Sequence, residues 1–254
     1  MIDLLDYPFV FFLVSILVLW VFERIGGYIR QRKRQPEDGP EEMGIIVGAA
    51  LTLLGLIIGF SFSMAVSRYD QRKNLEEEEA NAIGTEYLRA GLLPPADAAK
   101  VRALLRSYLD QRILFYSTGN TRQLEQIGTA TGELQNELWA AVQAPAPAQP
   151  TPLTALVVSG MNDVLNSQGY TQAAWWNRIP VAAWGLMAAI AICCTLLIGY
   201  DARVAQRRGA RALVMPLIVA ISFLMIADLD SGHRGIIRVR AQNLESLARS
   251  LPAQ

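Results

Sequence analysis

The chain has 254 residues, 52% of them hydrophobic and 18% charged, with zero formal net charge. Mean hydropathy is positive, at +0.24. This composition fits an integral membrane protein with a sizeable polar part, and the lack of a basic excess argues against a nucleic-acid partner.

Tyr7 to Phe22 is the first apolar span, with Pro8 at its start, where a missing N–H costs little. Asp3 and Asp6 precede it instead of Lys or Arg, so it reads as a retained transmembrane helix and not as a secretory signal. A first loop follows, with Arg24, Arg30, Arg32, Lys33 and Arg34, then the turn-rich acidic piece PEDGPEE.

Gly44 to Ser67 carries no charge and is long enough for a hydrocarbon core that needs about 20 apolar residues. Gly44, Gly48, Thr52, Gly55, Gly59, Ser63 and Ser67 recur at steps of three and four, so small residues line one face. Such stripes let helix backbones approach closely in lipid, which makes Gly48, Gly55 and Gly59 candidate packing positions. The helix is expected to continue past the membrane, where the same face turns polar at Asp70, Asn74, Glu77 and Asn81. A seam of small and then polar residues fits a water-filled path; a tight bundle followed by a solvated face fits it too. In Glu76-Glu77-Glu78-Glu79, only Glu77, with Glu78 nearby, falls on that face. Around an oligomer axis, Glu77 would form a ring that attracts cations.

Pro94-Pro95 ends this helix. Ala96 to Tyr116 reads as an amphipathic helix with Val101, Leu104, Leu105, Tyr108 and Leu109 on one face. Thr121 to Gln143 is a second, with Leu124, Ile127, Leu134, Leu138 and Trp139. Ala144 to Pro152 is an extended proline-rich linker, Leu153 to Asn166 returns to helix, and Trp175-Trp176 stand where an interfacial aromatic belt would be. Ile179 to Tyr200 is the third span. A short basic loop follows, with Arg203, Arg207, Arg208 and Arg211, and Ala212 to Ala227 is the fourth span. The tail from Ile236 has Ile237, Leu244, Leu247 and Leu251 at helical spacing, as in an amphipathic helix that packs or lies on the membrane.

The expected fold is an all-α membrane protein with four transmembrane helices and a helical extramembrane region between the second and third. It divides into residues 1–67, 68–178, 179–230 and a tail, 231–254. The two basic loops set against an N-terminus without Lys or Arg place residues 68–178 outside the cytoplasm by the positive-inside rule, although Arg68, Arg72, Lys73, Arg234, Arg238 and Arg240 count the other way.

No P-loop, dinucleotide glycine pattern, zinc-ligand spacing or G-x-S-x-G occurs, so no enzyme activity, metal or cofactor is expected. Cys193 and Cys194 are adjacent in an apolar run and cannot build a disulfide framework. Ionisable residues near membrane depth are functional candidates, which singles out Asp228 and Asp230 with Arg234 or Arg68 as a charge cluster. A helix-terminating turn explains the same residues structurally.

The segment GFSFSMAVSRYDQRKNLEEEEANAIGTEYLRAGLLP, from Gly59 to Pro94, resembles the signature of a bacterial bestrophin-like membrane family, and ADLDSGHRGIIRV is similar to that family's second recurring segment. Gly59-Phe60 followed by Val66-Ser67-Arg68-Tyr69 also resembles the second helix of the bestrophin channels. That resemblance implies a pentameric ion channel whose second helices line an apolar neck, with Thr52, Leu56 and Phe60 at the neck positions. Thr52 departs from an apolar neck residue, and the calcium-binding acidic clasp of bestrophins has no clear counterpart. The resemblance also implies a cytoplasmic polar region, opposite to the arginine count. The expected function is thus a homo-oligomeric ion channel lined by Thr52, Leu56, Phe60, Ser63, Asp70, Asn74 and Glu77, with lipid, its own copies and inorganic ions as partners. The alternative is a non-conducting oligomeric sensor or scaffold whose extramembrane helices bind a partner.

Overall fold

The computed structural model describes residues 7–33, 40–145, 150–201 and 210–252. Among the described residues eight α-helices run in order: α1 (Pro8–Lys33), α2 (Pro40–Arg89), α3 (Pro95–Ser117), α4 (Thr121–Gln143), α5 (Pro152–Trp176), α6 (Val181–Tyr200), α7 (Val214–Ser231) and α8 (Gln242–Ser250), with 3-10 turns at Ala90–Leu92 and Ala210–Leu213. No strand occurs among the described residues. Prolines punctuate the helices: Pro8, Pro40, Pro95 and Pro152 each open one, and Pro180 directly precedes α6. At a first helical position the ring costs no hydrogen bond and pre-sets φ. Among the described residues four helical stretches are long and apolar enough to cross a membrane, beginning at Pro8, Met43, Pro152 and Val214.

The chain forms two compact units. The first comprises Met1–Arg68 and Arg178–Ile237. In it α1 packs against α6 and α7. Phe11, Trp184 and Phe223 meet where these three helices do, with edge-on Phe11–Trp184 and Trp184–Phe223 contacts at centroid distances of 5.2 and 6.1 Å. Gly26 of α1 and Gly199 of α6 lie so close to the facing backbone that a Cβ on either would collide with the carbonyl oxygen of Leu196 or of Glu23. In lipid, where apolar burial gives helices no drive to associate, such backbone contact supplies the dispersion energy. α1 extends well past Phe22, so Arg24, Arg30 and Arg32 belong to its last turns and not to a loop. Arg30 donates to the Tyr200 carbonyl at the end of α6, at 3.0 Å. Arg34 of the first loop and Arg203, Arg207 and Arg208 of the third lie outside the described residues.

The second unit comprises Tyr69–Asn177 and Arg238–Gln254. Its core joins Ile83 and Tyr87 of α2 with Val101, Leu105, Tyr108 and Leu109 of α3, Ile127 and Leu138 of α4, Val157, Met161 and Val164 of α5, and Leu244 of α8. α5 runs ten residues beyond Asn166, and this moves Trp175 into that core, edge-on to Phe115 at 5.4 Å; only Trp176 is exposed, so the Trp pair is not a belt. The tail helix spans only Gln242–Ser250 and packs on the unit, while Val239 and Ala241 ahead of it fill the core without being helical.

Candidate functional site

α2 has 50 residues, a rod of about 75 Å at 1.5 Å per residue. Its two faces differ in what the chain asks of them. Thr52, Leu56, Phe60, Ser63, Ser67, Asp70, Asn74, Glu77 and Asn81 are all exposed. Leu56 is 54% and Phe60 66% exposed. A Cβ built at Gly44, Gly48, Gly55 or Gly59 meets nothing within 4 Å. The small-residue stripe therefore makes no close contact within the chain. Thr52 donates its hydroxyl to the Gly48 carbonyl at 2.9 Å, so its polarity is satisfied along its own helix.

The other face is consumed. Leu54, Ser61 and Ala65 are buried, and then Arg72, Glu76, Glu79, Ile83, Glu86 and Ala90 follow at steps of three and four, none above 1% exposed. Arg72 donates to the carbonyls of Ala174 and Asn177 at 3.2 and 3.4 Å and lies 5.3 Å over the Trp175 ring. A cation there serves two ends at once, since the last carbonyls of α5 lack helical partners and carry the negative end of its dipole. Glu76 does the converse for α8. Its Oε1 accepts the N–H groups of Asn243 and Leu244 at 2.9 and 3.0 Å, and its Oε2 accepts the Asn243 side-chain amide at 2.7 Å. The residue at the N-cap position is Ala241, which has no side-chain acceptor, so α2 supplies the cap from outside. Glu79 pairs through two bonds with Arg112 of α3 and also accepts from Tyr116 and Thr171 at 3.3 and 3.4 Å. Burial works against the Arg112 charge, but the Glu79 carboxylate outweighs it and holds the guanidinium above its ordinary range. Burial, reinforced by Glu79, pushes the Tyr116 phenol far up.

The candidate charge cluster resolves into two separate devices. α7 runs to Ser231, so Asp228 and Asp230 occupy its last turn instead of following it. Carboxylates are unfavourable at that end of a helix dipole, and each is compensated. Asp228 accepts the N–H groups of Ile236 and Ile237 at 2.7 and 2.8 Å, folding the chain back after Gly232, whose φ of 68° suits glycine. Asp230 accepts the Ile179 N–H at 3.0 Å and pairs with Arg68 at 3.4 Å. The Arg234 guanidinium lies 4.9 Å from the Tyr7 ring centroid. Among the described residues no group of three or more His, Cys, Asp or Glu is placed to hold a metal ion.

Sequence reasoning missed the buried charges. Arg72, Glu76 and Glu79 were open to detection by register: on α2 they share the three-and-four spacing of Ile83 and Ala90, a period that belongs to a buried face.

The sequence model of a family described as the Bestrophin-like domain matches residues 9–244. Among curated proteins no sequence matches. Among solved structures, the chain is similar to a bacterial bestrophin homolog from Klebsiella pneumoniae. One crystal structure, of an isoleucine-to-alanine variant, gives a TM-score of 0.66 at 12% identity, covering 94% of this chain and 96% of that one. A leucine-to-threonine variant gives 0.63 at 13%, over 94% and 96%. A third, phased by Zn-SAD, gives 0.61 at 14%, over 95% and 98%. At such identities the likeness is one of fold. With a family match over nearly the whole chain and four helices fit to cross a bilayer, the protein is a membrane protein of the bestrophin-like family, a family of ion channels.

Proposed function

We propose that the chain is one subunit of a homo-oligomeric ion channel in which α2 lines the conduction path. The observation that carries this reading is the face of α2 from Gly44 to Asn81, which the chain leaves uncovered, while from Arg72 onward the opposite face is buried in the chain's own core. Small residues at Gly48, Gly55 and Gly59 suit close approach by the same helix of neighbouring copies. Thr52, Leu56, Phe60 and Ser63 then fall beside the axis in the membrane, and Asp70, Asn74 and Glu77 beyond it. Rings of Leu56 and Phe60 form a constriction that closes by dewetting, and a Glu77 ring biases the approach of ions toward cations. By family resemblance the subunit number is five and the setting a bacterial inner membrane.

The test is ion flux in vesicles reconstituted with purified protein. Phe60→Ala or Leu56→Ala raises flux, because it widens and wets the constriction, and Glu77→Gln lowers cation preference with assembly intact. If neither wild type nor Phe60→Ala carries flux, the conduction reading fails and an oligomeric scaffold takes its place.

A further inference from the structure

Glu86 has no place in the exposed stripe and none in the capping and ion-pair bonds of the buried face. It is 0% exposed, and neither carboxyl oxygen has a hydrogen-bond partner. The side chain lies directly on the backbone of α5 at Gly160: a Cβ there would collide with Glu86 Oε2 and with the Arg89 guanidinium. Glycine at 160 is thus what lets the carboxyl group sit between the two helices. The charged groups acting on it are Arg89, one turn on along α2, and Asp163 on α5, which themselves pair at 3.8 Å. The adjoining 3-10 turn, Ala90-Gly91-Leu92, brings no charge. Asp163, whose own side chain is 62% exposed, shares Arg89 with Glu86.

A buried carboxylate with no hydrogen bond is far costlier than the neutral acid in the same place. We propose that Glu86 is a proton-operated latch between α2 and α5, closed as the neutral acid and released when the proton passes to water. Burial first, opposed by Arg89 and aided by Asp163, pushes its pKa up to about 8, from an ordinary 4.5. The sign follows from proton counts. The closed pair keeps its proton up to about pH 8, whereas an opened pair exposes an ordinary carboxyl that has already lost it. Opening therefore releases a proton, and the latch weakens as pH rises between those limits. Above them both forms are ionised and the dependence stops. The latch does not depend on conduction, and its test reads no flux.

The experiment is hydrogen exchange of the α5 amides around Gly160 in the full-length protein in detergent, corrected for the intrinsic rise of exchange with pH. Protection falls roughly tenfold per pH unit toward about pH 8, then levels. Glu86→Gln, a neutral isostere, abolishes that slope. Asp163→Asn, at an exposed side chain, shifts the levelling point to lower pH by removing a charge that favours the acid form. Protection in wild type that is independent of pH overturns the latch, as does an unchanged slope in Glu86→Gln. Should that variant not fold, an unmoved levelling point in Asp163→Asn overturns it equally.

Discussion

The four consecutive glutamates Glu76 to Glu79 show how one helical turn sorts like residues into unlike roles. Glu77 and Glu78 stand in solvent, whereas Glu76 caps α8 and Glu79 anchors Arg112. A buried ion pair is not favourable by default, since desolvation cancels much of its Coulomb energy; the large effect appears when one partner is removed. Arg112→Met leaves Glu79 charged and enclosed, and should cost about 3–5 kcal/mol in unfolding free energy. The double variant Arg112→Met with Glu79→Leu should recover most of that loss. Denaturant unfolding of both variants in one detergent checks this; a single-variant loss below about 1 kcal/mol would mean that water reaches the pair.

α2 joins two problems on one helix. Its exposed face carries Gly48, Gly55 and Gly59 with open space over each, so leucine at Gly55 or Gly59 should leave the subunit fold intact. In an oligomer it should push neighbouring backbones apart, and the particle in mild detergent should shrink to a smaller species. Wild-type size for both variants would remove the stripe from the subunit interface. The four spans and the length of α2 were legible in the sequence because uncharged runs and an unbroken three-and-four spacing are direct consequences of the bilayer and of helix geometry. The exposed stripe was legible for the same reason. The anchoring face was legible only in its spacing, because an Arg or Glu reads as solvent-facing until the elements it caps are placed. Trp175 misled similarly: an aromatic pair between a polar region and an apolar span suits a membrane boundary and a core equally, and only the continuation of α5 to Trp176 separates the two.

Orientation in the membrane belongs to the molecule entire. Arg24, Arg30, Arg32, Lys33, Arg34, Arg203, Arg207, Arg208 and Arg211 stand against Arg68, Arg72, Lys73, Arg178, Arg234, Arg238 and Arg240 on the other side. The positive-inside rule decides little when the two sides lie so close. The bestrophin-type arrangement, with residues 69–177 in the cytoplasm, is our expectation. In a background with Cys193→Ser and Cys194→Ala, a cysteine at the exposed Glu125 should resist an impermeant thiol reagent in intact cells and react in inverted vesicles. Labelling in intact cells would establish the orientation that the basic loops alone favour.

Because Arg72 and Glu76 hold α2 from behind, they also set its azimuth. Each residue of a helix turns it by about 100°. One residue inserted between Ser67 and Arg72 would turn the anchors of α2 that far around the helix relative to Phe60 and Leu56. In the proposed channel, the side chains that face the path are thus set by torque at residues that lie off it.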